Sequence, residues 1–133
     1  MTKKEEIIAA LKRMGYSPES DDEGDIVLMY QMKILYLFPG NEDESYVSVM
    51  LPRFHDVKED EESLTLAVCN KLNRELKVVK TYLDEGFKSI TAVCEFYYND
   101  DDSLENGIKK SLNVIGVIRT FFRRAIEDLS DDT

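Results

Sequence analysis

An α+β fold built on a mostly antiparallel sheet is what this chain predicts, on three observations. Apolar residues recur at helical spacing in three separated segments. Between those segments lie five short runs rich in Ile, Val, Leu, Tyr and Phe. Within the first three runs and within the last two, the joining peptides are too short for a crossover, which makes those runs antiparallel neighbours. The expected order is α-β-β-β-α-β-β-α, a five-stranded sheet with the terminal helix and the first helix on one face. At 133 residues, with 43% hydrophobic and 33% charged residues, residues 1–133 read as a single domain able to bury a core without staples.

The first helix is expected over residues 3–15. Ile7, Ile8, Leu11 and Met14 form one stripe, Lys4, Glu5, Lys12 and Arg13 lie largely outside it, and Gly15 stops it. Residues 17–24 are a polar turn region. Strands follow at 25–31, 33–38 and 45–51. Gln31-Met32-Lys33 suits a tight hairpin between the first two, and Pro39-Gly40-Asn41-Glu42-Asp43-Glu44 a turn between the second pair. A second helix takes Leu64, Val68, Leu72 and Leu76 at helical spacing. Acids precede it, and Lys71, Arg74 and Lys77 lie near its end, as the helix dipole favours. Strands at 77–83 and 88–97 flank the turn Asp84-Glu85-Gly86-Phe87. Asp102 and Glu105 then read as a capping box opening the longest helix. Its stripe runs from Leu104 to Leu129 and is widened by Val114, Val117, Ile118 and Phe121. That extra width exceeds what covering one sheet needs, and it predicts a homodimer or partner face. Residues 130–133 are expected to be a disordered tail.

Charge and composition exclude several classes. With 27 acidic and 17 basic residues the net charge is −10, a field that repels phosphate backbones and argues against nucleic acid as a partner. No run of apolar residues approaches a membrane span and no leader-like apolar core occurs near Met1, so a cytoplasmic protein without membrane contact is expected. Cys69 and Cys94 fall in core-like patterns as buried, inert thiols rather than disulfide or zinc residues. No GxSxG, P-loop or GxGxxG occurs. His55, the one histidine, sits beside Asp56 in an expected loop, and a His–Asp dipeptide alone supplies neither an orienting partner nor a substrate contact. The acidic runs at 21–25, 41–44 and 99–102 lack the ligand spacing of a calcium loop and read as turns and caps. No catalytic residue, metal or cofactor is therefore assigned.

What remains is a binding surface. Asn70 and Asn73, three apart at the end of the second helix, are poor helix formers whose carboxamides can both donate and accept. They read as a polar bolt to the next strand, with contact to a ligand or peptide as the other reading. Lys71, Arg74, Lys77 and Lys80 are the one local reversal of sign. They cap the helix end, and Arg74, Lys77 and Lys80 could also receive an acidic partner segment. The strand tyrosines, Tyr82 and Tyr97 among them, read first as filling the sheet–helix core with hydroxyls at its edge, with contact surface on an uncovered sheet face as the other reading.

The Asn70-x-x-Asn73 pair, the strand Val78-Val79-x-x-Tyr82-Leu83-Asp84, the strand from Ile90 to Phe96 and the long last helix resemble the YbjN-like family of bacterial sensory transduction regulators. The likeness covers nearly the whole chain by element order and is sharpest from about Leu64 to Phe122. It implies a fold like that of the type III secretion chaperones, small acidic α/β proteins, often dimeric, that bind extended client segments. It implies no catalytic residues. Together these observations predict a non-enzymatic protein-binding module, chaperone-like or a regulatory adaptor. The alternative is a small-molecule sensor with a pocket between sheet and helix lined by Tyr82, Phe96 and Tyr97.

Overall fold

The first helix forms where Thr2 caps it. In the computed structural model, which describes residues 1–131, the Thr2 hydroxyl accepts the Glu5 N–H at 3.1 Å and α1 runs Lys3–Arg13. Gly15, at φ +94°, turns the chain away, a left-handed conformation that glycine adopts without a Cβ penalty. Then come β1 (Glu19–Ser20), β2 (Ile26–Tyr30), β3 (Lys33–Pro39), β4 (Tyr46–Asp56), α2 (Glu62–Glu75), β5 (Val79–Leu83), β6 (Ser89–Tyr97) and α3 (Asp101–Asp131). The strands make one antiparallel sheet in the order β1-β2-β3-β4-β6-β5.

Six strands replace the expected five. The addition, β1, is two exposed polar residues paired with Ile26 and Val27, too short and too polar to carry an apolar alternation. The strand expected to stop near Leu51 runs on to Asp56. Leu51 pairs with Ala92 and His55 with Ile90, so four steps on β4 oppose two on β6 and two extra residues bulge out. Arg53 sits there at φ +48°, its N–H given to the Thr91 hydroxyl at 3.3 Å. An even insertion preserves the alternation, and His55 faces the same side as Leu51. The histidine is therefore in a strand and not in a loop.

The last helix also starts earlier than expected. Asp100 Oδ1 accepts the Ser103 N–H at 2.8 Å, while the Ser103 hydroxyl accepts the N–H groups of Asn99 and Asp100 at 2.8 and 3.0 Å. The reciprocal cap is Asp100 with Ser103 rather than Asp102 with Glu105. Glu105 instead meets Arg13 of α1 at 3.4 Å. Ser130 and Asp131 of the expected tail belong to α3, and residues 132 and 133 lie outside the described residues.

One core joins all three helices to one sheet face. Ile26 and Leu28 of β2, Leu35 and Leu37 of β3, Val47, Val49 and Leu51 of β4, and Ala92 and Cys94 of β6 are buried on that face. Register aligns them strand to strand, as in Ile26–Leu37–Val49–Cys94–Val79. Against them pack Ile7 and Leu11 of α1, Val68 and Leu72 of α2, and Leu104, Ile108, Leu112, Ile115 and Phe122 of α3. Gly107 sits where α3 crosses β6. A Cβ there would stand 2.2 Å from the Phe96 ring, so only glycine admits this approach.

Candidate functional site

The alternation that buries one face of the sheet fixes the other. Val27, Tyr36, Met50, Val93 and Lys80 stand in register across β2, β3, β4, β6 and β5, on the side that carries no helix. Met29 pairs with Ile34 beside that row, and both are exposed. Phe38 stacks on Tyr36 with ring centroids 6.2 Å apart. Tyr46 and Tyr97 form a second aromatic pair, at 5.2 Å. This is an uncovered, largely apolar surface of the kind that marks an interaction site when soluble proteins carry one.

Two shallow depressions share Met50 on this face. One, of about 470 Å³, has Tyr36, Phe38 and Met50 as floor and Asp21, Asp22, Glu23, Asp25 and Arg53 around it. The other, of about 400 Å³, is lined by Ser48, Met50, Lys80, Tyr82, Val93 and Glu95. Glu95 organises the second: it pairs with Lys80 and accepts the Tyr46 hydroxyl. The Lys80 ammonium, then the Tyr46 hydroxyl, hold the Glu95 carboxyl below its ordinary range.

The asparagine pair separates. Asn73 Nδ2 donates to the Thr81 carbonyl at 3.1 Å, and Asn73 Oδ1 accepts the Thr81 N–H at 2.8 Å and its hydroxyl at 3.0 Å. Since β5 is the last strand of the sheet, these are edge groups that would otherwise be bare. The Asn70 side chain is exposed and makes no hydrogen bond to the described residues, so the bolt is Asn73 alone. Strand addition along β5 is blocked at its centre, and the opposite edge, β1, offers two residues.

The basic patch separates as well. Lys80 points to the uncovered face and is paired with Glu95, while Lys71 is paired with Glu75 at 3.4 Å. Arg74 and Lys77 are exposed at the end of α2, without a carboxylate within 4.0 Å among the described residues. Of the row expected to face a second copy, Ile118 is fully buried in its own core. Val114 and Phe121 are half-buried against that core, and Val117 is the exposed member. A 31-residue helix crossing a strongly covered sheet uses that width internally. The sensor pocket is not assembled either. Phe96 and Tyr97 line a cavity of about 250 Å³ with Val78, Asn106, Gly107 and Lys110, whereas Tyr82 belongs to the depression on the uncovered face.

Both thiols are buried, and burial pushes the Cys94 thiol up to about 12 and raises that of Cys69, which removes the reactive thiolate. Among the described residues no group of three or more His, Cys, Asp or Glu is placed to hold a metal, and no helix is long and apolar enough to cross a membrane. Sequence reasoning did not mark Met50 and Val93, which sit at the centre of that row, Met50 half-buried and Val93 buried beneath its neighbours. Their signal is the alternation of β4 and β6, which cannot say which of two apolar faces the helices choose.

This arrangement, an antiparallel sheet with helices on one side, is similar to solved structures of secretion chaperones. The HopA1–SchA chaperone–effector complex contains a chain that superposes with a TM-score of 0.60 at 13% identity, over 90% of this chain and 92% of that one. The Yersinia pestis type III secretion chaperone SycH, in complex with a fragment of YscM2, gives 0.52 at 13% identity, over 95% and 98%. YbjN, "a putative transcription regulator from E. coli", gives 0.64 at 12% identity, over 96% and 92%. The fold is thus of the type III secretion chaperone class. The family model YbjN, "putative bacterial sensory transduction regulator", matches residues 3–107, and the chain belongs to that family. A search of curated proteins finds no match.

Proposed function

We propose that this chain is a non-enzymatic, chaperone-like or regulatory protein that holds a segment of a partner protein on the uncovered sheet face. One observation carries the reading: all three helices pack on one side, which leaves Val27, Tyr36 and Met50 on the other side with no helix over them. The partner presents apolar side chains to Tyr36, Phe38 and Met50, and basic residues to the acidic rim of Asp21, Asp22, Glu23 and Asp25. A net charge of −10 steers such a segment in. Because Asn73 occupies the β5 edge, the segment lies across the face rather than extending the sheet. The neighbours SycH and SchA, whose structures hold a protein fragment and an effector, support this class of partner. The setting proposed is the cytoplasm. A homodimer, where it forms, is proposed to use Val117 with the flanks of Val114 and Phe121.

The test is affinity capture from the native organism under gentle conditions, with the natural chain and a Met50→Lys variant of unchanged circular dichroism. A partner enriched by the first and lost from the second is expected. No partner above background, or equal recovery by both, contradicts the reading.

A further inference from the structure

We propose that a cavity between the end of β4 and the second half of α3, away from the uncovered sheet face, binds a small aromatic carboxylate. The cavity has a volume of about 280 Å³ and is lined by Phe54, His55, Arg119, Phe122, Arg123 and Ile126. That lies just below the roughly 300–1,000 Å³ of common ligand pockets and suits one small molecule. Its floor is aromatic: Phe54 meets Phe122 edge to face at 5.3 Å, and the His55 ring lies 4.7 Å from Phe122.

The arginines of the lining call for an anion there. Arg119 and Arg123 are four apart on α3, hence on one side of it, and neither has a carboxylate within 4.0 Å among the described residues. What sets this pair apart is its place beside an aromatic-floored cavity. His55 Nε2 is buried and makes no hydrogen bond, the only such side-chain nitrogen or oxygen among the described residues. A buried ring nitrogen left bare costs free energy and marks this end of the core as imperfectly satisfied. Asp56, Lys58 and Glu61 act on His55 through space and leave Nε2 unpaired.

The floor decides between anions. A guanidinium fork fits carboxylate and phosphate alike. A free phosphate, however, would cover none of Phe54, Phe122 and Ile126, whereas a ring bearing a carboxylate stacks on that floor with its charge toward the arginines. The His55 ring, part of the same lining, lies close enough to report occupancy. This site does not depend on the partner surface, and either can fail alone.

The probe is benzoate, titrated into the full labelled chain while the His55 ring protons are followed by NMR, with benzamide and inorganic phosphate as controls. Benzoate is expected to give a saturable shift and to raise the His55 titration midpoint. Benzamide gives none, and phosphate binds at least about tenfold more weakly. Arg119→Gln and Arg123→Gln, both on exposed helix positions, each weaken benzoate about tenfold while the backbone spectrum stays folded. Absence of a saturable shift, equal binding of benzamide or phosphate, or undiminished binding by the Arg119→Gln/Arg123→Gln double variant would each overturn the assignment.

Discussion

Asn73 offers its carboxamide to Thr81 at the point where a further strand would attach, satisfying both main-chain groups of that edge residue. Removing it leaves a donor and an acceptor without partners, which costs about 1–3 kcal/mol. Asn73→Ala should lower the urea midpoint accordingly, and Asn70→Ala should leave it within about 0.5 kcal/mol. Equal losses at the two positions would refute the single bolt. Val78 makes the opposite case. It stands at φ +76° with the Val79 N–H bonded to the Lys77 carbonyl at 2.9 Å, a tight turn that a β-branched residue fits poorly. Relief of strain of about 1–3 kcal/mol, less the roughly 0.5–1 kcal/mol that glycine's chain entropy costs, predicts Val78→Gly to be about 1 kcal/mol more stable. Thermal unfolding checks it, and a destabilised variant would contradict the strain.

At the scale of elements, the crossing of α3 over β6 turns on Gly107. Alanine there gains helix propensity of about 1 kcal/mol but drives a Cβ into the Phe96 ring. Gly107→Ala should be net destabilising by about 1–2 kcal/mol, with part restored when Phe96→Leu shortens the opposing side chain. Denaturant titration of the three variants decides it. Most elements were legible, because helical spacing at Ile7–Leu11, Val68–Leu72 and Leu104–Leu129 and the turn peptides leave few alternatives. Three features were not. Glu19–Ser20 pairs through its backbone without an apolar signal, Pro52 reads as a strand end where a bulge carries β4 onward, and Asp100–Ser103 caps α3 in a run of acids. That bulge hid the His55 cavity, since it moves the histidine from an expected loop to the edge of the core. Asn73 was readable from its chemistry; Asn70 shares the residue type and only the helix's rotation separates them.

For the whole molecule, pH and partner binding report on different faces. Burial lowers His55 below its ordinary value of 6.5, against the pull of Glu61 and Asp56. The unfolded chain therefore binds the proton more readily than the folded one. The stability this group contributes is complete above about pH 6.5 and is lost as pH falls through the lower folded value. Urea midpoints taken between about pH 7.5 and 5.5 should decline, and His55→Gln should flatten that decline; an unchanged slope would refute it. Partner binding belongs to the uncovered face. Its alternation was visible in the sequence, but Tyr36 and Met50 are as apolar as many core residues, and only packing distinguishes the two faces. The most direct measurement is calorimetric titration of a captured partner's segment against the natural chain, Met50→Lys, and Lys109→Ala on exposed α3. Binding with a negative heat-capacity change, weakened at least about tenfold by Met50→Lys and unchanged by Lys109→Ala, is the predicted result. Equal affinity for the natural chain and Met50→Lys would contradict it.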